Sequence, residues 1–201
     1  MSVQIDMPNI RGIQNRLGEF ANKAPRVLVN AINRTAKETR KEAKKIVKEK
    51  YTIAAKHANT YIKAPSKASL SRPSASLRIS NRPQGLHKFK VTPKYQWNKV
   101  GRRRPKAYKS KILKSDPMQT PVRSMFVLET SRGPQVVFRK RGSSTSGRKK
   151  FVFMAGPSYA RMIKDQDDGD RIKTFVRKEL NDRVSEQIEK VLRRMAGRSS
   201  T

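Results

Sequence analysis

The sequence predicts an α+β protein in which N-terminal helices and a long C-terminal helix pack on a small antiparallel β-sheet. Three observations predict this class. Apolar residues recur at helical spacing near the N-terminus, alternate with polar residues in the middle, and return to helical spacing near the C-terminus. The chain of 201 residues divides into a helical region at 1–64, an antiparallel β region at 65–160 and an amphipathic helix at 161–201, which together form one structural unit.

Three helices are predicted in the N-terminal region. Apolar spacing indicates a first helix at 9–22, and Pro25 suits the first turn of a second helix that reaches Lys50. Thr52 is the predicted N-cap of a third helix with its body at 53–61. The second helix has a buried stripe that is thin in its middle, where alanine and threonine replace larger residues. The stripe comprises Leu28, Ala31, Ile32, Thr35, Thr39, Ala43, Ile46 and Val47.

The middle of the chain is predicted to form strands separated by polar connections. Alternating apolar residues indicate strands at 75–80 and 86–91, with a turn at 82–85, and further strands at 123–129, 135–139 and 151–154. The connections are a linker at 64–72, a basic loop at 93–115 read as a long hairpin or a loop ordered on binding, and a flexible tip at 142–150.

The final helix is the best supported element. Residues 156–158 are predicted to turn the chain into a short helical segment, and Asp170 is the predicted N-cap of a helix over 171–196. Gly197 is a suitable stop signal. Its apolar row recurs every four residues and comprises Ile172, Val176, Leu180, Val184, Ile188 and Leu192. Three charged pairs at i,i+4 support it, namely Glu179–Arg183, Glu186–Lys190 and Glu189–Arg193.

Charge is the strongest functional signal in the sequence. The formal net charge is +33, and 18 lysines and arginines lie between Glu49 and Asp116 without a single acidic residue. The ends at 1–25 and 165–201 carry only +1 each. One-sided surface charge repels itself, so a chain that carries it usually works against a polyanion or an acidic protein surface.

Catalytic and metal chemistry find no support in the sequence. There is no cysteine, and neither His57 nor His87 has a carboxylate nearby in sequence, whereas a zinc site needs three or four ligands. The acidic cluster at 165–170 lacks the spacing of a calcium loop and suits the start of a helix dipole. No phosphate-cradling glycine motif or nucleophile elbow occurs. We expect a non-enzymatic protein without cofactor or metal.

Membrane association is also not expected. The N-terminus has no basic region followed by an apolar run, so it does not resemble a secretory signal. The longest apolar run, Phe151–Ala155, is far short of the ~20 residues that span a bilayer. The expectation is a soluble protein made in the cytoplasm of its host.

Three basic clusters are candidates for contact with nucleic acid or an acidic partner. Two rows of like charge at i,i+4 spacing cover the outer face of the second helix, which costs about 0.2–0.5 kcal/mol per pair. The first row is Lys37, Lys41 and Lys45, and the second is Arg40, Lys44 and Lys48. Tyr95, Trp97 and Tyr108 flank the densest run, and packing between strands is preferred for them over stacking on bases. The plainer interpretation of each cluster is a solvated surface. The candidates are Lys37, Lys41, Lys44, Lys45, Lys48, Arg102, Arg103, Arg104, Lys106, Arg139, Lys140 and Arg141.

Two groups of motifs, taken in order, resemble a known family. Asn30–Ala36 opens a basic helix, and Ser71–Ile79 follows about forty residues later. Arg123–Gly142 is followed by Gly156–Ser158 and the amphipathic C-terminal helix. Over residues 25–195 these resemble the prophage minor tail protein Z family, the tail completion proteins of long-tailed phages. The motif residues are Asn33, Arg34, Thr35, Arg72, Pro73, Gly156, Pro157 and Ser158.

The resemblance implies a structural virion protein in the tail or neck, where it helps the tail join a DNA-filled head. The implied partners are tail terminator, tail tube or head–tail connector proteins, and we expect a homo-oligomeric ring with non-specific contact to phage DNA. The basic stretch at 94–115 is longer than the family pattern leads one to expect. The alternative, favoured by composition alone, is a ribosomal-type or nucleoid-type nucleic-acid-binding protein; an enzyme ranks third.

Overall fold

The structure is a computed structural model that describes residues 1–5, 10–96, 105–121, 125–131, 133–139, 151–164 and 166–197. The description of residues 139, 166 and 167 covers the backbone alone. The helices are α1 (Ile10–Leu17), α2 (Ala24–Lys50), α3 (Ala55–Tyr61), α4 (Tyr159–Lys164) and α5 (Gln166–Ala196). A 3₁₀ turn, Gly18–Lys23, joins α1 to α2, and a second covers Leu86–Lys88.

Nine short strands accompany these helices in the described part of the chain. They are β1 (Ser2–Ile5), β2 (Ala75–Arg78), β3 (Pro83–Gly85), β4 (Lys90–Thr92), β5 (Lys109–Lys111), β6 (Met125–Thr130), β7 (Gly133–Arg139), β8 (Phe151–Phe153) and β9 (Ala155–Ser158). All pair antiparallel, in the ladders β1–β2, β3–β9 and β4–β5 and the three-stranded sheet β6–β7–β8. The predicted α+β class is confirmed, with the strands divided among four small sheets rather than one.

The chain forms two compact units. Unit 1 comprises Met1–Lys45, Tyr61–Ser80 and Ile163–Thr201, and unit 2 comprises Ile46–Thr60 and Asn81–Met162. Each unit therefore takes residues from more than one of the three sequence regions, because α2 contributes to both and the β region is divided between them.

Unit 1 is built on an apolar core shared by α1, α2, α5 and the β1–β2 ladder. The buried stripe predicted for α2 is confirmed at all eight positions, and Ile32 at its centre is fully buried. Burying such a side chain contributes roughly 1.5–3 kcal/mol. The core comprises Ile5, Ile13, Leu17, Ala24, Val27, Leu28, Ala31, Ile32, Ala36, Ala68, Ala75, Leu180, Val184 and Ile188.

Unit 2 buries apolar residues from its strands, from the end of α2, from α3 and from α4. Its largest fully buried side chains are Tyr159, Phe89 and Met162, together with Ile46. The strands predicted at 123–129 and 135–139 are confirmed as the pair β6–β7, with Val127 opposite Val136 and both side chains buried. Tyr108 is also buried, and its hydroxyl donates to the carbonyl oxygen of Tyr95 at 3.0 Å, so the preference for packing is confirmed at this position.

Four predicted features of the helices differ from the structure. Thr52 does not cap α3, because its hydroxyl lies against the carbonyl oxygens of residues 111 and 112. Asp170 is not an N-cap, because α5 already begins at Gln166 and Asp170 lies inside it, paired with Lys173. Leu192 is 37% exposed, since the apolar row leaves the core near the end of α5. The pair Glu186–Lys190 is replaced by contacts of Glu186 with arginines.

Two predicted turns are strands instead. Pro83–Gly85 pairs with Ala155–Ser158 in an antiparallel ladder, so both segments, read as turns from their proline and glycine content, are extended. Strand β1 was not predicted; it pairs with β2 in the register Val3 opposite Leu77. The tip predicted at 142–150 lies outside the described residues.

Candidate polyanion-binding site

The exposed face of α2 carries part of the predicted basic cluster. Lys37, Lys41 and Lys45 are exposed in unit 1, and Lys41 forms an ion pair with Glu38 at 2.8 Å. Lys48, which belongs to unit 2, is also exposed. These ammonium groups are accessible to an anionic partner.

The second predicted row on α2 has a partly structural role. The guanidinium of Arg40 donates through Nε to the carbonyl oxygen of Ile62 at 3.0 Å, which ties α2 to the chain after α3. Lys44 is half-buried, and desolvation, with a smaller contribution from Arg40, lowers the pKa of its ammonium group. Lys44 is therefore less suited to bind an outside anion than the exposed lysines of the other row.

Most of the two remaining predicted clusters falls outside the described residues. This applies to Arg102, Arg103, Arg104, Lys140 and Arg141, to the side chain of Arg139, and to Trp97. Lys106 is described and is exposed in unit 2. The contact role of all these residues stays a prediction.

The first family-motif residues hold unit 1 together. The side chain of Asn33 donates through Nδ2 to the carbonyl oxygen of Ala68 at 3.1 Å and accepts from the Ala68 N–H at 2.8 Å. This two-point contact fastens the extended segment after α3 to α2, with Ala68 buried in the core. The Asn33 side chain thus provides the hydrogen-bond partners for the N–H and C=O of Ala68 that a neighbouring strand would otherwise provide.

The next two motif residues on α2 have different structural roles. Arg34 pairs with Glu186 on α5 at 2.7 Å, and Glu186 also pairs with Arg183 at 2.7 Å. Hydrogen bonding to Arg183, with the positive charges of both arginines, lowers the pKa of the Glu186 carboxyl. Thr35 is fully buried, and its carbonyl oxygen accepts a 2.8 Å bond from the hydroxyl of Thr39.

Arg72 and Pro73 shape the connection that leads into β2. The N–H of Arg72 donates to the Ser69 hydroxyl at 3.1 Å, and the Ser69 N–H donates to the Arg72 carbonyl at 3.0 Å. This tight turn is followed by Pro73, which cannot donate to a ladder and so precedes the strand.

Gly156, Pro157 and Ser158 belong to strand β9, which leads directly into α4. A Cβ at Gly156 would lie 2.7 Å from Cε2 of the buried Phe89 ring, so only glycine fits there. The Ser158 hydroxyl accepts the N–H of Arg161 at 3.1 Å, which caps the first turn of α4, and donates to Oδ1 of Asn81 at 3.0 Å. All described motif contacts are therefore structural.

Sequence reasoning missed a lysine-lined pocket in unit 2. The pocket has a volume of about 550 Å³ and is lined by Thr52, Ala54, Lys88, Phe89, Lys90, Lys94, Lys111 and Lys114. Five of these eight residues are lysines and none is acidic. A partial signal was present, because lysines recur at 88, 90 and 94 and again at 111 and 114 in a stretch without acidic residues, although Lys88 lies in the 3₁₀ turn before β4.

Thr52 joins the three segments that form the pocket. Its hydroxyl lies 3.2 Å from the carbonyl oxygen of Ile112 and accepts the N–H of Lys90 at 3.1 Å. Its own N–H donates to the Ile112 carbonyl at 2.9 Å. These bonds hold the chain after α2 against β4 and β5. They therefore fix the backbone positions from which the lysine side chains extend.

The pocket is electrostatically one-sided. Lys90 and Lys111 are directly opposite in the β4–β5 ladder, an arrangement that destabilises a sheet. Lys88 donates a hydrogen bond from its ammonium group to the neutral amide oxygen Oε1 of Gln84 at 3.0 Å. Lys90, Lys94, Lys111 and Lys114 form no ion pair within the described ranges. An anion in the pocket would relieve this repulsion.

Two histidines next to Lys88 report the same positive environment. Burial, followed by the charges of Lys88 and His57, lowers the pKa of His87. Burial, followed by the charges of Lys88 and Lys56, lowers the pKa of His57. Both rings are therefore held neutral near pH 7.

An exposed aromatic face lies on the sheet β6–β7–β8. Phe153 is 62% exposed and Phe151 is 42% exposed on β8, which is an edge strand of the sheet. The ring of Phe151 packs edge-on against Phe126, with ring centroids 5.7 Å apart. Large apolar side chains grouped at a surface are typical of contacts with another protein.

Comparisons with protein-family models, with curated proteins and with solved structures give no match to this chain. No helix in the described part of the chain is long and apolar enough to cross a membrane. Across the same ranges, no group of three or more histidine, aspartate or glutamate side chains is placed to hold a metal ion.

Proposed function

We propose that this protein is a non-enzymatic structural component of a tailed-phage virion, acting in tail completion at the head–tail junction. The observation that carries the proposal is the charge of unit 2. This unit contains 24 lysines and arginines and three acidic residues, Glu49, Asp116 and Glu129, which leaves a formal charge of +21. Such a surface needs a polyanion or an acidic protein ring to neutralise it.

The family resemblance assigns the place of this charge. Packaged DNA and neighbouring protein rings meet at the head-proximal end of a tail. A cationic protein at that place could contact the DNA phosphates or acidic side chains of those rings. The described motif residues support the resemblance indirectly, since Asn33 and Gly156 each occupy a position that suits that residue type, and Arg34 forms an exposed ion pair with Glu186. A family defined by its fold, without catalytic residues, would retain residues of this kind.

A homo-oligomeric ring is part of the proposal. Copies carrying this charge repel one another at low salt, so assembly depends on an anionic partner, namely DNA, the tail terminator, the tail tube or the head–tail connector. The exposed Phe151 and Phe153 offer an apolar surface for the protein side of that contact. The isolated protein is expected to be monomeric or weakly associated.

Deletion of the gene from the phage or prophage that carries it tests this role. Heads are expected to fill with DNA and tails to reach normal length, while infectious joined particles fall sharply and recover when the gene is supplied from a plasmid. If particles remained fully infectious after the deletion, the proposed role would be wrong.

A ribosomal-type or nucleoid-type nucleic-acid binder is the second candidate, because the charge of unit 2 also suits a cellular nucleic acid. The two differ in where the protein is found. Fractionation of infected cells is expected to recover it with virions or tails; recovery with ribosomes or the nucleoid alone would favour the second candidate.

A further inference from the structure

We propose that the lysine pocket of unit 2, lined by Lys88, Lys90, Lys94, Lys111 and Lys114 with Thr52 and Phe89, binds the phosphodiester backbone of nucleic acid. The inference rests on the proposed function and deepens it, since it assigns the anion that the basic surface meets and the residues that meet it.

The pocket is a formed site rather than a run of charge along a chain. Its lysines come from separate stretches of sequence that two antiparallel strands and the segment after α2 bring together. The backbone around it is fixed by the contacts of Thr52 and by the Lys114 N–H, which donates to the Lys50 carbonyl at 2.8 Å. The backbone positions that carry the lysines are therefore set before an anion arrives, so that only the exposed side chains have to be ordered on binding.

The lining chemistry fits phosphate. Ammonium groups are compact point charges that bind phosphate oxygens from many directions, and at least three of the five lysines, Lys90, Lys94 and Lys114, are exposed. No acidic side chain lines the pocket to repel an anion. A volume of about 550 Å³ accommodates a stretch of sugar–phosphate backbone and is larger than a single inorganic phosphate requires.

The lining favours a nucleic acid backbone over an acidic peptide. A bound peptide needs partners for its own backbone N–H and C=O groups, and the Thr52 hydroxyl, which is the one neutral polar side-chain group among the lining residues, is already engaged. Phe89 is only 1% exposed, so its ring is not available to stack on a base. The pocket should therefore hold backbone without reading sequence.

The test compares two charge-matched double variants of the full chain. The pocket variant carries Lys90→Gln and Lys111→Gln; the control carries Lys56→Gln and Arg161→Gln, two exposed residues of the same unit that do not line the pocket. Affinity for a short duplex DNA of random sequence is measured across a salt series. Loss of two phosphate contacts is expected to lower the log–log slope by about 1.8 and the affinity at 0.1 M salt by at least about tenfold, with little change of slope in the control.

Two further arms keep the result interpretable. The variant with Lys90→Arg and Lys111→Arg, which retains the charge, should bind DNA within a few-fold of the parent protein. Polyglutamate of matched charge is tested as the alternative anion. The pocket variant should lose less affinity for polyglutamate than for DNA. Equal salt slopes for the pocket and control variants would overturn the proposal, as would a loss confined to polyglutamate, which would assign the pocket to an acidic protein. Either result leaves the virion role to be judged by the deletion experiment alone.

Discussion

Lys90 and Lys111 lie directly opposite each other in the β4–β5 ladder, so two ammonium-bearing side chains share one face of a two-stranded sheet. Opposed like charges destabilise a strand pair, whereas opposite charges contribute about 0.2–1 kcal/mol. The opposed lysines therefore lower the free energy of unfolding of the isolated protein. A bound anion would offset this loss.

Replacing one of these lysines by glutamate should stabilise the free protein. Lys111→Glu is expected to raise the free energy of unfolding by up to about 1 kcal/mol at low salt, with the gain shrinking at 0.5 M salt as the charges are screened. Denaturant unfolding at both salt concentrations measures it. The matched control is Lys109→Glu, on the same strand and opposite Thr92, which should gain less. Equal gains for both variants would show that general charge reduction, and not this pair, is responsible.

Asn33 is expected to be essential for the stability of unit 1. Asn33→Asp keeps the size and the acceptor of the Ala68 N–H but removes the donor to the Ala68 carbonyl, and should lower the free energy of unfolding by about 1–3 kcal/mol. Asn30→Asp introduces the same charge at an exposed position of the same helix and serves as the control. If the two variants unfold at the same denaturant concentration, the two-point contact does not stabilise the fold as described.

Gly156 is expected to tolerate no side chain. In Gly156→Ala the new Cβ would lie 2.7 Å from the buried ring of Phe89, and overpacking of this kind costs about 1–3 kcal/mol. Gly12→Ala is the control, because nothing lies within 4 Å of a Cβ there and alanine favours the helix. Thermal unfolding should show a lower midpoint for the first variant and an equal or higher one for the second. A midpoint of Gly156→Ala equal to that of the parent would contradict the close packing of β9 on Phe89.

Acid should destabilise unit 2 through its histidines. Their pKa values are lowered from the ordinary 6.5 in the folded protein, so the unfolded chain binds protons at a higher pH than the folded chain does. Stability is complete above pH 6.5 and falls as the pH drops from there through the lowered pKa values. Urea unfolding at pH 7.5 and at pH 5.5 should show this loss, and the double variant His57→Gln with His87→Gln should show a smaller one. An unchanged loss in the double variant would assign the pH dependence to other groups.

The spacing of apolar residues along the sequence predicted the helices of this protein well and its short antiparallel strand pairs poorly. The stripe of α2 could be predicted because 3.6-residue spacing and burial are local properties, and Leu28, Ile32 and Ile46 are buried as expected. Strand β1 has four residues and pairs with β2 at separations of 70 to 76 positions, so nothing near it in sequence marks it as a strand. Pro83–Gly85 carries turn residues and is extended only because Ala155–Ser158 pairs with it.

The candidate site shows the same limit. Sequence identified the excess of positive charge but not the pocket, because its lysines become neighbours only through the β4–β5 ladder and the contacts of Thr52. Thr52 was read as a helix cap from its place before an apolar residue, whereas its hydroxyl is used by a tertiary contact that no local pattern encodes. The proposed partners of this charge lie outside the chain, and the sequence points to them only through the family resemblance.

Cryo-electron microscopy of purified virions and of isolated tails from the parent phage would locate this protein in the particle. We expect density for both units of this chain in a symmetric ring at the head-proximal end of the tail, with the lysine pocket facing DNA in the filled particle. Absence of the protein from virions and tails alike, or its presence at the distal end of the tail, would show that the proposed virion role is wrong.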